Sequence, residues 1–236
     1  MKLLRVICLL TILSLANTWT QAEDAPKKAR MLMVTQSQGF VHKSVNREKN
    51  PLSPAEIAMT QLGQQTGLFS VDCTQHADKD FTEENLKKYD LVFFYTTGNL
   101  PIAEKDWDYF FNTWMKQKGH GFIGRPLRDR HVCHFQALLD FIGGTFDGHP
   151  WGSNNTVTIT VHDTDHAASK PWGKEFQIKD EIYQYKNWQP EKVHVLMSLD
   201  MAKCNPSKPY LVPVSWVKQY GDGRMYYTNL GHNPET

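Results

Sequence analysis

The sequence has no excess of charge of either sign. Lysine and arginine number 26 against 25 aspartates and glutamates, which leaves a formal net charge of +1. Proteins that bind nucleic acids or acidic membranes usually carry a concentrated positive field. The composition therefore gives no indication of a nucleic-acid partner or of an acidic membrane surface as a partner.

Long hydrophobic runs are also missing, apart from residues 6–15. Lys2 and Arg5 precede that run, and Thr20-Gln21-Ala22 follows it with small residues at the positions that a signal peptidase recognises. The alternative is a membrane anchor, but a spanning helix needs roughly 20 apolar residues. We predict a signal peptide over residues 1–22, cleaved after Ala22, and hence a secreted or periplasmic protein with no stable membrane anchor.

Cysteine is scarce, and no two cysteines have the C-x-x-C spacing of a zinc ribbon or a redox motif. Cys73, Cys133 and Cys204 remain after cleavage. One disulfide can form in an oxidising compartment, but the sequence does not show which two of the three would pair.

After a polar leader at residues 23–29, the first half of the chain alternates strands with helices. The predicted strands are 31–35, 69–73, 90–95 and 121–124, and the predicted helices are 53–67 and 106–118. This βαβαβ order predicts a parallel sheet with helices on both faces.

The second half is richer in strands. We predict strands at 156–162, 175–185, 192–198, 212–218 and 224–229. Asp222-Gly223 has the turn chemistry of a hairpin between the last two. The chain contains no repeat and no linker, so residues 30–236 are expected to form one domain.

Ligands of open parallel sheets bind beyond the carboxyl ends of the strands. That rule selects residues 37–42, residues 96–98, the turn after Gly124, and residues 231–233. The first and last of these segments carry His42 and His232.

Seven segments together resemble the ThuA-like (trehalose utilisation) family in order and spacing, and they extend over nearly the whole chain after the signal peptide. They are Gly39-Phe40-Val41-His42, Tyr95-Thr96-Thr97-Gly98, residues 119–124, residues 142–151, Asp180-Glu181-Ile182-Tyr183, Pro213-Val214-Ser215-Trp216 and residues 223–233.

The resemblance implies an α/β fold of the flavodoxin-like or class I glutamine amidotransferase-like type, a three-layer sandwich with a mostly parallel central sheet. In those amidotransferases a nucleophile follows a strand, and a His-Pro-Glu segment supplies the base. Here the turn after Gly124 has no Cys or Ser at the nucleophile position, and His232-Asn233-Pro234-Glu235 looks like an altered His-Pro-Glu. Amidotransferase activity is therefore not expected.

The candidate catalytic residues are His232, Glu181 and His42. An imidazole suits general acid–base work, and both histidines follow predicted strands. Asp180 and Glu181 would point to opposite faces of a strand, so we assign Glu181 to the site, with Tyr183 on the same face. The alternatives are a histidine bonded to its own turn, a histidine on a surface loop and a surface pair of carboxylates.

Six residues are candidates for substrate binding: five lie in the same sheet-end segments or in the segment 148–151, and Tyr183 shares the predicted strand face of Glu181. They are His149, Trp151, Thr97, Gly98, Asn233 and Tyr183. His149 could equally fix its own loop, and Trp151 could pack in the core.

No cofactor is expected. Three histidines and a carboxylate could hold a divalent metal ion, but no two of these histidines have the close spacing of a metal motif on one element. The expected partner is a small-molecule carbohydrate, and the oligomeric state is left open.

Residues 125–133 depart from the family pattern. The family continues with a small apolar residue, a His and a run such as Ser-Ala-Thr-Asp-Thr, whereas this chain has Arg125-Pro126 and further charges. Suitable codons for Val-His-Ser-Ala-Thr-Asp-Thr, shifted by one base, encode residues 125–131. We interpret the segment as a compensated frameshift that places Pro126 and Arg130 where the family has a His and an Asp. Family members also tend to continue past residues 231–233, so we expect a shortened C-terminus.

Three hypotheses follow for the function. The first is an enzyme that acts on a sugar or keto-sugar, such as a trehalose-type disaccharide or derivative, as an isomerase, lyase or hydrolase. The second is a non-catalytic carbohydrate-binding protein that uses His149 and Trp151. The third is an inactive remnant, caused by the 125–133 segment.

Overall fold

The structure is a computed structural model that describes residues 27–124 and 135–233. Four features predicted from the sequence lie outside the described residues. They are the signal peptide, residues 23–26 of the leader, the segment 125–133 of the frameshift hypothesis with Pro126 and Arg130, and the Pro234-Glu235 part of the altered His-Pro-Glu segment.

The described chain contains eleven strands. They are β1 (Ala29–Val34), β2 (Phe69–Thr74), β3 (Leu91–Phe94), β4 (Gly121–Gly124), β5 (Thr145–Phe146), β6 (Thr156–Val161), β7 (Glu175–Lys179), β8 (Tyr185–Lys186), β9 (His194–Leu199), β10 (Pro213–Tyr220) and β11 (Gly223–Thr228).

The helices in the described residues are α1 (Pro54–Thr66), α2 (Ala77–Asp80), α3 (Glu83–Leu86), α4 (Glu104–Tyr109) and α5 (Phe135–Ile142). A π-helical turn at Phe110–Trp114 continues α4, and a 3-10 turn at Lys43–Val45 lies in the loop after β1. Within residues 27–124 and 135–233, no helix has the length and hydrophobicity of a membrane span.

Nine of the strands form one sheet in the order β2-β1-β3-β4-β11-β10-β9-β6-β7. The pairings from β2 to β11 are parallel, and those from β11 to β7 are antiparallel. The remaining two strands, β5 and β8, pair separately. The α/β fold class predicted from the sequence is confirmed, with the parallel half ending at β11.

Alternating side chains of the central strands pack on the two faces of the sheet. In β1, Leu32 and Val34 belong to a core shared with α5 and the aromatic helix α4, whereas Met31 and Met33 face α1. A second core on the α1 side lies over β6, β9 and β10. Helices therefore cover both faces of the parallel half, which gives the three layers.

Helix α1 begins and ends where the sequence signals predict. The Ser53 hydroxyl accepts a hydrogen bond from the Glu56 N–H, and the Glu56 carboxylate accepts one from the Ser53 N–H, which together form a capping box. Pro54 occupies the first turn, and Gly67 ends the helix with φ of 69°.

Two predicted elements have different bounds in the structure. The strand expected at 175–185 ends at Lys179, because the next residue, Asp180, turns its carboxylate inward, and Tyr185 joins the separate small sheet. The helix expected at 106–118 begins at Glu104 and changes to a π-helical turn at Phe110, which buries three aromatic rings of that segment.

Candidate functional site

A cleft of about 440 Å³ lies beyond the carboxyl ends of β1, β3 and β11. Seven of the residues that the sequence suggested for the site line it: His42, Thr97, Gly98, His149, Glu181, Tyr183 and His232. Four further lining residues were not assigned to the site from the sequence: Gln38, Gly39, Phe40 and Phe146. Seven of the eleven lining residues lie in segments that the topology rule selected, whereas Phe146, His149, Glu181 and Tyr183 come from segments that it did not select.

A larger cavity, of about 660 Å³, lies at the opposite ends of the strands, near Gly121 and Arg224. Its histidines have structural partners. The Nε2 of His194 is 2.7 Å from Asp163, and the Nδ1 of His120 is 2.6 Å from the Trp114 carbonyl oxygen. We place the functional site in the smaller cleft, because ligands of parallel sheets bind at the carboxyl ends.

Glu181 lies between two histidines at the base of the cleft. One carboxylate oxygen is 3.5 Å from the Nε2 of His232, and the other is 3.5 Å from the Nδ1 of His149. The side chains of Glu181 and His232 are only 15% and 17% exposed, whereas that of His149 is 54% exposed. The carboxylate can therefore exchange protons with one sheltered and one open imidazole.

His42 lies beside His232 in the cleft. Its ring meets the ring of His232 edge-on, with centroids 4.5 Å apart and planes at 90°. His42 immediately precedes the 3-10 turn in the loop after β1. The structure therefore brings the three candidate catalytic residues together from loops that are far apart in the sequence.

Asp180 holds the His232 loop in place. It is completely buried, and its two carboxylate oxygens accept hydrogen bonds from the backbone N–H groups of Gly231 (2.6 Å), His232 (3.3 Å) and Asn233 (3.1 Å). These three hydrogen bonds to one buried side chain fix the conformation of the loop, and the N–H of Glu181 donates to the same carboxylate at 3.0 Å. The residue excluded from the site by its direction is thus the one that positions His232.

Tyr95 joins the His42 loop to the His232 loop. Its hydroxyl accepts a 2.5 Å hydrogen bond from the Ser44 hydroxyl and donates to the carbonyl oxygen of Gly231. Tyr95 directly follows β3 and is buried. A single phenol therefore fixes the spacing of both histidine-bearing loops relative to the sheet.

An ion pair between the buried Glu56 and the partly exposed Arg47 anchors the far end of the His42 loop. The Glu56 carboxylate is 2.7 Å from the Arg47 guanidinium, and it also accepts hydrogen bonds from the Thr35 hydroxyl and the Ser53 N–H. Burial raises the pKa of Glu56, but the hydrogen bonds from Arg47, Thr35 and Ser53 outweigh it, so that pKa lies below its ordinary value.

Thr97 and Gly98 shape the cleft wall through the loop after β1. The Thr97 hydroxyl donates a 2.6 Å hydrogen bond to the carbonyl oxygen of Phe40. Gly98 has φ of 71°, and a Cβ there would lie 2.0 Å from the carbonyl oxygen of Gln38. Both residues line the cleft, and in this structure both also hold the neighbouring loop.

Two sequence-suggested binding residues do not line the cleft, and their assignments are corrected. Trp151 is fully buried in the core over β6 and β9, where its ring N–H donates to the carbonyl oxygen of Pro206. The side-chain amide of Asn233 donates to the carbonyl oxygens of Ser153 and Lys179. Trp151 is a packing residue, and Asn233 fastens its loop.

Asp180, Tyr95 and Glu56 were not assigned to the site from the sequence, although each contributes to it. Tyr95 and Asp180 stand inside the segments that carry the family resemblance, so that signal was available. Glu56 gave no such signal, because no local sequence pattern shows that its carboxylate binds Arg47.

Among the residues that the structure describes, no group of three or more His, Cys, Asp or Glu side chains is arranged to hold a metal ion. Cys73 and Cys204 carry free thiols, and Cys133 lies outside the described residues. Burial raises the pKa of Cys73 to about 11. The titratable side chains among the described residues that line the cleft are those of His42, His149, Glu181, Tyr183 and His232.

The family model described as ThuA, trehalose utilisation, matches residues 30–236. A structure named as a ThuA-like protein from Bacteroides uniformis is 23% identical, with a TM-score of 0.68, and the match covers 91% of this chain and 87% of that one. A second such structure, from Parabacteroides merdae, is 15% identical, with a TM-score of 0.63 and coverage of 87% and 80%. No curated protein matches the sequence.

Proposed function

This chain belongs to the ThuA family, described as acting in trehalose utilisation, and from that premise we propose that its cleft binds a sugar or keto-sugar and acts on it by acid–base chemistry. The family supports a role in carbohydrate utilisation. The finer statement, a reaction on a trehalose-type disaccharide or its oxidised derivative, is our proposal.

The observation that carries the proposal is the position of Glu181 between His149 and His232, each at 3.5 Å. Catalytic hydrogen bonds are often long without substrate and shorten when it binds. A sheltered carboxylate with an imidazole on either side can take a proton at one atom of a substrate and return one at another.

On a keto-sugar, we propose that Glu181 takes the proton from the carbon next to the ketone. The C–H electron pair moves into the enolate, whose oxygen receives a proton from the protonated imidazole of His232. Glu181 then returns its proton to the former carbonyl carbon while the hydroxyl on the first carbon gives its proton back to the His232 imidazole, which forms the new carbonyl group and completes an isomerisation. Alternatively, the electron pair expels the glycosidic oxygen as an alkoxide, which takes a proton from a cleft imidazole, and the bond is cleaved.

His42 has a supporting part in this scheme. Its edge-on contact with the His232 ring fixes the plane of that imidazole, and its own ring faces the cleft. Asp180 and Tyr95 act through the backbone of the His232 loop, so they are positioning residues rather than catalytic ones.

We also propose that the protein is exported and that its signal peptide is removed after Ala22. The support is the sequence pattern of residues 1–22. Expression of the full gene in a Gram-negative host, followed by N-terminal sequencing of the periplasmic protein, tests this. A first residue of Glu23 supports the proposal, and retention of the intact N-terminus in the cytoplasm overturns it.

The test of the catalytic proposal is turnover of a 3-keto-disaccharide by the wild type and by three variants. His232→Ala and Glu181→Gln are expected to lower kcat by about 100-fold or more. His76→Ala is the matched control, because His76 is exposed and does not line the cleft. Turnover at the wild-type rate in both cleft variants would contradict the catalytic roles assigned to His232 and Glu181.

Binding separates the enzyme from a carbohydrate-binding protein. If calorimetry shows that the wild type binds the disaccharide while no keto-sugar or disaccharide is converted, the acid–base proposal fails and the binding hypothesis replaces it. If neither binding nor turnover is found, the carbohydrate proposal fails as a whole.

A further inference from the structure

Phe40 is an exposed aromatic side chain at the edge of the cleft. It is 68% exposed, the highest value among the large apolar side chains that the structure describes, and it lines the cleft. Exposed aromatic rings at the edge of a concave site commonly serve ligand binding.

The exposed ring stands on a firmly held backbone. The Thr97 hydroxyl donates to the Phe40 carbonyl oxygen at 2.6 Å, and the Gln38 N–H donates to the Thr97 carbonyl oxygen at 2.7 Å. Gly39, with φ of 99°, makes the turn that presents Phe40. A platform held in advance loses little entropy when a ligand packs against it.

The side chains of His42, His232, Glu181 and His149 form a row across the cleft, which we call the acid–base row. Phe40 lies at one end of it. Its ring lies 4.9 Å from that of His42, edge-on, and His42 in turn contacts His232. At the other end, the Phe146 ring lies 6.1 Å from His149 and 5.1 Å from Tyr183. The described row of His42, His232, Glu181 and His149 is thus bracketed by two phenylalanines.

The charges of the cleft restrict the ligand class. Among the described residues that line it there is no Lys or Arg, and Glu181 is the one carboxylate. A phosphorylated or carboxylated ligand would find no guanidinium or ammonium group there. The cleft therefore suits an uncharged ligand that presents apolar C–H faces to aromatic rings and hydroxyl groups to polar side chains.

We propose that Phe40 forms a second sugar-ring subsite, next to the ring that lies over Glu181 and His232, and that it sets the preference for a two-ring sugar over a single ring. This inference rests on the proposed function, because it assumes that a sugar occupies the acid–base row. In this proposal Phe146 contacts the first sugar ring, the one over Glu181 and His232. Its loss would therefore weaken the binding of one-ring and two-ring sugars alike.

The experiment is calorimetric titration of glucose and trehalose into the wild type, Phe40→Ala, Phe40→Trp and Trp172→Ala. Trp172 is the matched control, an aromatic side chain that is 45% exposed and does not line the cleft. We expect Phe40→Ala to weaken trehalose binding at least tenfold and glucose binding less than twofold, and we expect Phe40→Trp and Trp172→Ala to retain wild-type affinities.

The results separate this inference from the proposed function. If the wild type binds glucose and trehalose equally well, or if Phe40→Ala weakens both or neither, the Phe40 subsite is overturned and the sugar site remains. If the wild type binds neither sugar, the Phe40 subsite is overturned, and turnover of the 3-keto-disaccharide decides the proposed function separately. If Phe40→Ala only changes the mass found by light scattering, Phe40 is a protein contact, and the subsite is again overturned.

Discussion

The buried carboxylate of Asp180 accepts a hydrogen bond from the backbone N–H of His232. Through this bond and those from Gly231 and Asn233, a residue that does not line the cleft determines where the His232 imidazole stands. The adjacent residue in the sequence, Glu181, is the carboxylate that meets that imidazole. One dipeptide therefore supplies both the support of the histidine and its partner.

Replacement of Asp180 by Asn should therefore loosen the His232 loop. The amide of Asn has the shape of the Asp180 carboxylate, but its NH2 group would face backbone N–H donors. Each hydrogen bond to a charged group contributes about 1.5–3 kcal/mol to stability. We expect the free energy of unfolding to fall by about 2–3 kcal/mol in urea titrations, with weaker sugar binding.

Asp165→Asn is the matched control for that variant, because Asp165 is exposed in a loop. Its free energy of unfolding should stay within about 0.5 kcal/mol of the wild type. Equal stability of the two variants would contradict the role of Asp180.

Removal of the Tyr95 hydroxyl tests the bridge between the two histidine loops. Tyr95→Phe leaves the Gly231 carbonyl without the phenol that donates to it, and Ser44 without its acceptor. We expect a loss of about 1–3 kcal/mol in the free energy of unfolding, because the groups left behind are buried. Thermal and urea unfolding give the measurement.

A double-mutant cycle makes this specific. Ser44→Ala should cost less in the Tyr95→Phe background than in the wild type, because both changes remove the same contact. Tyr210→Phe is the control, since its hydroxyl makes an exposed hydrogen bond to Gln184. Strict additivity of the Ser44 and Tyr95 effects would argue against a shared bond.

Two glycines with nearly the same backbone conformation differ in their surroundings. Gly98 has φ of 71° and Gly67 has φ of 69°, but a Cβ at Gly98 would meet the Gln38 carbonyl oxygen at 2.0 Å, whereas one at Gly67 would meet nothing within 4 Å. Gly67→Ala should cost about 1–2 kcal/mol for the left-handed conformation alone.

Gly98→Ala adds a backbone clash to the same strain. We expect it to destabilise the protein measurably more than Gly67→Ala does, and to disturb the cleft because the Gln38–Phe40 segment must move. Unfolding curves of the two variants, with calorimetry on sugar binding, provide the comparison. A Gly98→Ala protein as stable as Gly67→Ala would show that the loop gives way without cost.

The buried Glu56 carboxylate should make stability depend on pH in a defined direction. Its pKa is below the ordinary value of 4.5 in the folded chain, so the unfolded chain binds the proton first as the pH falls. The stabilisation is therefore complete above about 4.5 and is lost as the pH falls through the lower, folded pKa.

Glu56→Gln should lower the free energy of unfolding by about 3 kcal/mol at neutral pH, because Arg47 loses its buried partner. The difference in free energy of unfolding between the variant and the wild type should become smaller below pH 4.5. Glu83→Gln, which removes an exposed ion pair to Lys87, is the control and should show a small gap. A gap for Glu56→Gln that widens in acid would contradict the sign of the shift.

Most secondary structure of the described chain could be predicted from local patterns. The capping residues Ser53, Pro54 and Gly67 bound α1, and the apolar runs marked the parallel strands, because these signals depend on neighbours in the sequence. The 175–185 strand was predicted too long, since nothing local shows that the Asp180 carboxylate has three distant backbone donors.

The loops that carry His42, Thr97 and His232 were also predictable, because the carboxyl ends of parallel strands share one edge of the sheet whatever the residues are. This rule did not select the segments that carry His149 and Glu181. The roles of single side chains were not. The sequence did not show whether the Trp151 ring packs in the core or lines the cleft. It also did not show that the Phe40 side chain is exposed at the edge of the cleft.

The amino-acid order was sufficient for the family, the α/β class, the boundaries of α1 and the loops that contribute His42 and His232, whereas Glu181 was expected in a strand and lies after the end of β7. Tertiary structure alone decided that Glu181 stands between His149 and His232, that Asp180 and Tyr95 hold the loops, and that Trp151 is buried. The reason is physical: element type follows from neighbours along the chain, whereas a site depends on distances between loops that only the closed sheet brings together.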